Sequence, residues 1–384
     1  MPRCLNLLRS AALCCSAVVF LASPAAAEAA SAAGGPAISA QSAVLIDVNS
    51  GRVLYERNAD EKRLIASTTK IMTAFLALKT ANPDDKTTVK HEHTLVEGTR
   101  VYFKAGDVLT VRELLIGTLL QSGNDAALAL ADHCGGDGGV AAFVTKMNAL
   151  ALQLGMTNTR FANPHGLNDD NHYSTARDMG ILAAAALSDP AFEAICSMKT
   201  GQVGQITVKN HNRLLWDYDG AIGVKTGYTR KAGRCLVSGA QRNGQKLAAV
   251  TLNAPSDWKD HADMLDMGFE KYPERRLCTQ DAFVCELPVV SGERAAVDIR
   301  VSQTLAMPLS DDEARRVTVS IELPRFAWAP VGQRQTLGRA RYMLDGETIA
   351  VCELYAEQDA ARAKARWRLP FLITRGGADV NRAA

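Results

Sequence analysis

Near Leu277 the hydrophobic period of this chain changes, and no other feature restricts its architecture as much. Upstream, apolar residues recur at helical spacing or in compact β-rich runs between turn formers. Downstream they alternate, as in Val297, Ile299 and Val301, then Val317, Val319, Ile321 and Leu323, which is the period of half-buried strands. At 384 residues the chain is also longer than one hydrophobic core usually organises. The reading is an α/β domain over 38–275 followed by a small all-β domain over 277–358.

Within the first domain, Ser42 to Tyr55 carries two β-rich runs around Asn49, Ser50 and Gly51, a hairpin pattern. Ser67 to Lys79 places Ile71, Ala74, Phe75 and Leu78 at helical spacing, so Ser67 falls in the first turn of an amphipathic helix. Val111 to Ala131 is again helical in pattern, broken by a loop at Ser122, Gly123 and Asn124. Ala221 to Tyr228, Cys235 to Ala240 and Lys246 to Leu252 read as strands, the last two joined at Asn243-Gly244 in a type I′ turn. A helix from Ser256 to Phe269 follows. Strands at both ends with helices between them predict a sheet covered by helices.

The two ends of the chain have their own character. Arg3 and Arg9 precede an apolar stretch from Ala11 to Ala22 and then Ala25, Ala26 and Ala27, the layout of a cleavable secretory signal over 1–27. The apolar run is shorter than the ~20 residues that span a bilayer. This predicts export across the inner membrane, to the periplasm or the outer face of the cytoplasmic membrane. The tail over 360–384 mixes Arg362, Lys364, Arg366 and Arg368 with Trp367, Leu369, Phe371, Leu372 and Ile373, a composition suited to an anionic membrane surface, although Pro370 interrupts any long helix. Net charge is only +2, from 43 basic and 41 acidic residues, which excludes the electrostatic footprint of a nucleic-acid binder. In an oxidising compartment Cys134, Cys196, Cys235, Cys278, Cys285 and Cys352 are free to pair or to stay as buried thiols, and spacing does not choose between these. No CxxC spacing points to a metal or redox centre, and no cofactor is implied.

Three short patterns carry chemistry: Ser67-Thr68-Thr69-Lys70, Ser122-Gly123-Asn124 and Lys225-Thr226-Gly227. Residues i and i+3 share a helix face, so Lys70 can reach the Ser67 hydroxyl. A serine becomes nucleophilic when a neighbour takes its proton, and a buried lysine does so once desolvation and a second cation depress its pKa. Lys225 is the natural second cation. The Ser67 amide, at a helix N-terminus, is the expected donor to a developing oxyanion. Lys225 and Thr226 on a strand edge offer a charge and a hydroxyl to a carboxylate, and Gly227 lets another backbone approach. Asn124 is placed to orient Lys70 and a substrate amide, and Ser122 to relay a proton to a leaving amine.

Each pattern alone is common. Ser256-Asp257-Trp258-Lys259 also satisfies SxxK, but Ser256 follows Pro255 at a helix start and reads as an N-cap. Lys199-Thr200-Gly201 also satisfies KTG, but it lies in a polar stretch, whereas Lys225 follows the apolar strand Ala221-Ile222-Gly223-Val224. His91 and His93 lack a third ligand nearby and read as a solvated loop. Trp328 and Tyr342 read as core of the β domain.

The stretches Ala66 to Thr73, Ser122 to Ala126, His172 to Met179 and Lys225 to Thr229, extended by Gly233, Cys235 and Leu236, resemble the low-molecular-weight penicillin-binding proteins that act as serine-type D-Ala-D-Ala carboxypeptidases. The resemblance covers about 38–272, and the following β domain is similar to the C-terminal domain of the same subfamily. It implies a β-lactamase/transpeptidase-like fold with an antiparallel sheet, an acyl-enzyme on Ser67 with Lys70 as base, and Ser122 and Asn124 as second-motif partners. It further implies Lys225 and Thr226 as carboxylate binders, Tyr228 as the source of a second oxyanion amide, peptidoglycan stem peptides as substrates, and β-lactams as covalent inhibitors. Three alternatives share these residues: a β-lactamase, disfavoured because the ExxLN glutamate motif is not present; an endopeptidase, whose relatives usually lack the β domain; and a non-catalytic wall-binding scaffold.

Overall fold

The computed structural model describes residues 35–364, so the 1–27 leader and the tail beyond Lys364 lie outside the described residues. The chain forms two compact units, one reaching Glu274 and taking in Pro308–Asp311, the other comprising Arg275–Met307 and the chain from Asp312 onward.

The first unit is built on five antiparallel strands: β1 (Ser42–Asp47), β2 (Val53–Arg57), β3 (Ala221–Thr229), β4 (Gly233–Arg242) and β5 (Gln245–Leu252), in the order β2-β1-β5-β4-β3. Asn243 and Gly244 both adopt positive φ, as the type I′ turn between β4 and β5 requires. The central strands are apolar on both faces, and their two-residue alternation sorts the core. Val44, Ile46, Ala248 and Val250 join one cluster, while Ala43, Leu45, Leu247 and Ala249 join another. The first cluster gathers α1 (Lys70–Thr80), α2 (Val111–Leu119), α3 (Asn124–Gly135), α4 (Gly139–Gln153), α5 (Ala176–Leu187) and α6 (Pro190–Cys196). The second packs α7 (Asp257–Lys271) through Met264 and Leu265.

Several sequence expectations need correction. Ser67 lies in a 3-10 turn, Ala66–Thr69, ahead of α1, and α1 is not amphipathic: Lys70 through Ala77 are all buried. Thr200–Val203 is a strand after all, paired with Ile206–Lys209 in a separate two-stranded hairpin. Polar side chains concealed it because most of this ribbon is exposed. Ser256 occupies the N-cap position of α7 without a side-chain cap bond; its amide donates to the Ser39 hydroxyl instead. His93 is buried, with Nδ1 accepting the Lys90 amide and Nε2 3.5 Å from Asp132.

The second unit is a six-stranded sheet of β6 (Phe283–Val290), β7 (Ala296–Val301), β8 (Thr318–Glu322), β9 (Ala327–Trp328), β10 (Thr336–Leu344) and β11 (Glu347–Ala356). Its order is β8-β10-β11-β7-β6-β9, antiparallel except for the β6–β9 pair. Leu287, Val297, Ile299, Tyr342 and Leu354 fill its core. Trp328, read as core, is 66% exposed because it lies on the short edge strand β9. The six described cysteines are all free thiols.

The start of β1 is tied to α7 by one buried carboxylate. Asp260 accepts the Ser39 amide and hydroxyl at 2.9 and 2.7 Å and the Ala40 amide at 3.0 Å. Replacing Asp260 with alanine strands these donors, and unfolding of the first unit in urea is expected to show a loss of about 2–4 kcal/mol. A variant as stable as the parent would refute this account of how the strand is held.

Candidate active site

Ser67 is presented by a turn that its own sequence would not favour. Ala66 sits at φ +47°, a region that costs energy for a residue with a Cβ. Neighbouring hydrogen bonds hold it there. The Ala66 carbonyl accepts from Thr69 Oγ1 at 2.8 Å, and Thr69 Oγ1 lies 2.7 Å from His172 Nε2. Because His172 Nδ1 accepts the Ala162 amide at 3.1 Å, the ring proton is on Nε2 and donates to Thr69. Burial, opposed by the charge of Asp169, lowers the His172 pKa to about 4, so the ring stays neutral in this role. The segment after His172 braces the same turn, since Arg63 and Ser174 exchange backbone hydrogen bonds of 2.8 and 3.0 Å.

From α1, Lys70 Nζ lies 3.1 Å from Ser67 Oγ, 2.6 Å from Asn124 Oδ1 and 2.7 Å from the His165 carbonyl. Two of these partners can only accept. A neutral amine has two N–H donors and one lone pair, so donating to Asn124 and His165 leaves the lone pair for the one partner that carries a proton, the Ser67 hydroxyl. The electrostatics favour that state. Lys70 is fully buried, and desolvation, then the charge of Lys225, pull its pKa well below the ordinary lysine value, with Asp125 opposing.

Asn124 is oriented by its own amide donating to the Glu97 carbonyl at 2.6 Å. Asp125 beside it accepts the Val101 and Tyr102 amides at 2.9 and 2.8 Å, which fixes the loop over the second motif. Ser122 adopts φ +62°, and among the described residues its hydroxyl has no hydrogen-bond partner.

The third motif lies on β3, an edge strand with one side unpaired. Lys225 is 1% exposed, donates to the Thr226 carbonyl at 2.9 Å, and is lowered by burial to about 7. Gly227 explains how this edge meets the Ser67 turn: a Cβ there would stand 3.1 Å from the Ser67 amide, the Thr68 amide and the Ile65 carbonyl. Tyr228 follows with its side chain 65% exposed.

All eight predicted residues thus lie on three elements that touch: Ser67 and Lys70 on the turn and α1, Ser122 and Asn124 at the start of α3, and Lys225, Thr226, Gly227 and Tyr228 on β3. Sequence reasoning missed the His165 carbonyl, because a backbone group leaves no side-chain signature. It missed the Thr69–His172 brace as well, although both residues stand in motifs already quoted. The chemistry available is proton abstraction from a serine by a neutral amine beside a strand edge that carries a second lysine, which suits acyl transfer from an extended peptide with a free carboxylate.

Comparison with known proteins bears on this site. Residues 27–256 match the family described as D-alanyl-D-alanine carboxypeptidase, and residues 272–362 match the penicillin-binding protein 5 C-terminal domain. The chain is 34% identical over 352 residues to D-alanyl-D-alanine carboxypeptidase DacC of Escherichia coli, covering 87% of each chain. It is 32% identical over 341 residues to the enzyme DacF of Bacillus subtilis, covering 85% of this chain and 87% of that one. Penicillin binding protein 5 from Haemophilus influenzae superimposes with a TM-score of 0.74 at 32% identity, over 86% of this chain and 100% of its own.

Gly166 tests the geometry. At φ +89° it passes so near the nucleophile turn that a Cβ would lie 2.0 Å from the Ala66 carbonyl oxygen. Gly166→Ala is expected to slow acylation of Ser67 by a β-lactam probe about tenfold or more while leaving the fold cooperative by circular dichroism. Unchanged acylation would show that the turn does not need this close approach.

Proposed function

Since this chain belongs to the D-alanyl-D-alanine carboxypeptidase family of serine hydrolases, we propose that Ser67 carries the acyl-enzyme through which it removes the terminal D-alanine of peptidoglycan stem pentapeptides. The observation that carries the assignment is the buried Lys70 amine, 3.1 Å from Ser67 Oγ and held by two further oxygens.

The peptide lies along the open side of β3 with its carboxylate against Lys225 and Thr226. Neutral Lys70 takes the Ser67 proton as Oγ attacks the carbonyl carbon of the penultimate residue. The oxyanion is held by the Ser67 and Tyr228 amides. When the C–N bond breaks, the departing amine takes a proton delivered through Ser122, whose hydroxyl is free to turn. Water, deprotonated by the regenerated neutral Lys70, then attacks the ester carbonyl and releases the shortened peptide. The two lysines divide the work: the environment drives Lys70 toward the neutral form, and Lys225 is the one left to hold a carboxylate. β-Lactams enter the first step and are trapped as esters on Ser67. The working place is outside the cytoplasm; removal of the 1–27 leader, residence in the periplasm or at the outer face of the inner membrane, and membrane contact by the tail complete the proposal.

Mass spectrometry after benzylpenicillin is expected to find one adduct, on the Ser67 peptide, persisting long after free drug is removed. Ser67→Ala abolishes it, and Lys70→Ala slows its formation about 10²–10⁴-fold. An adduct elsewhere, or one hydrolysed at β-lactamase rates, would defeat the reading.

The lysine division makes a separate forecast about pH. Lys225 is protonated below about 7 and loses its charge above it, so KM for a peptide with a free C-terminal carboxylate should climb as pH rises through that value. A C-terminally amidated analogue should bind with little pH dependence. Lys225→Ala should raise KM for the free acid about 10-fold or more. Equal pH responses of acid and amide would remove Lys225 from carboxylate recognition.

A further inference from the structure

Two cysteines of the second unit stand outside all the chemistry above. Cys278 ends the strand Glu274–Cys278 and is partly exposed, whereas Cys352 is fully buried in β11. Their thiols donate to one and the same acceptor, the Gln303 carbonyl, at 3.6 and 3.7 Å. Meeting at one oxygen, the two thiols are close enough for Cys352 to raise the pKa of Cys278, a smaller effect than burial, while the Tyr342 hydroxyl opposes it. Their surroundings are pinned: the Ser302 amide donates to the Glu353 carbonyl at 3.0 Å, and the Ser302 hydroxyl lies 3.6 Å from Cys352 Sγ. Among the described residues, none of the other four cysteines shares a hydrogen-bond acceptor with a second cysteine. Cys196 and Cys235 donate to carbonyl oxygens, and Cys134 bonds Thr80.

We propose that Cys278 and Cys352 form a disulfide in the exported protein, stapling the first strand of the second unit to β11 of its six-stranded sheet. Sequence alone left the pairing open, and the geometry selects this pair. The inference rests on the export reading for its oxidising setting. The oxidant is an external disulfide, RSSR. The exposed Cys278 thiolate attacks one of its sulfurs, forming a mixed disulfide and expelling RS⁻. The Cys352 thiolate then attacks the Cys278 sulfur and expels the second RS⁻. The two cysteine protons end on the two released thiols, and two electrons pass from the cysteines to the oxidant. Burial raises the Cys278 thiol above its ordinary range, so this exchange is slow at neutral pH. Once closed, the bond encloses a long stretch of the unit and restricts its unfolded state.

The purified full-length chain, equilibrated with oxidised and reduced glutathione at mildly alkaline pH, is denatured, alkylated and digested without reductant. The expected product is a peptide pair linked through Cys278 and Cys352, with Cys134, Cys196, Cys235 and Cys285 alkylated. Melting of the second unit should fall by about 5–15 °C on adding reductant, and a Cys278→Ser variant should lose that sensitivity. Alkyl groups on both Cys278 and Cys352, a linked pair joining other cysteines, or unaltered reductant sensitivity in Cys278→Ser would each overturn the proposal. D-Alanine release assayed on the same sample reports on Ser67 alone, so a failure of the cross-link and a failure of the enzymatic assignment give different results.

Discussion

The hydrogen-bond count around one nitrogen organises the site. Lys70 is buried among three oxygens, of which one belongs to a hydroxyl, and that arithmetic favours a neutral amine in a residue normally found charged at the surface. Everything adjacent serves to keep those oxygens in place. Asn124 is fixed from Glu97, the His165 carbonyl is carried by a loop folded on Asn163, and Ser67 is held by the Thr69–His172 brace. The long-range packing has the same end. A five-stranded sheet with apolar side chains on both faces is rigid enough to bring β3 against a turn more than 150 positions earlier in the chain.

Much of this could be read from the sequence, for identifiable reasons. Alternation in Val297, Ile299 and Val301 announced strands, and Asn243-Gly244 announced its turn, because both signals are local and physical. The eight candidate residues could be picked out because side-chain chemistry is written in residue type and the three motifs occur in order. What escaped was set by tertiary context. α1 looked amphipathic in isolation, yet the surrounding helices and sheet bury it from Lys70 through Ala77 and leave only its last turn in contact with solvent. Thr200-Gly201 looked like loop because a two-stranded ribbon needs no apolar run. Trp328 looked like core because its size suggests burial, but an edge strand put it in solvent. His165 gave no signal because it acts through its carbonyl, which is common to every residue type.

The second unit differs in kind. Its core is small, and its strands carry exposed apolar residues such as Val319 and Ile321 on β8. A unit of this sort has less hydrophobic burial to spend on stability than the first, which makes any additional constraint on its unfolded chain more valuable. Neither its sheet nor its thiols contribute groups to the acyl-transfer chemistry described for the first unit.

The contact at Gly227 has a wider consequence. The strand that carries Lys225 and Thr226 and the turn that carries Ser67 share a van der Waals boundary, with no intervening layer to absorb displacement. A substitution that shifts the strand therefore moves the turn with it, whereas a change to the exposed side chain of Tyr228 or Tyr102 leaves that boundary untouched.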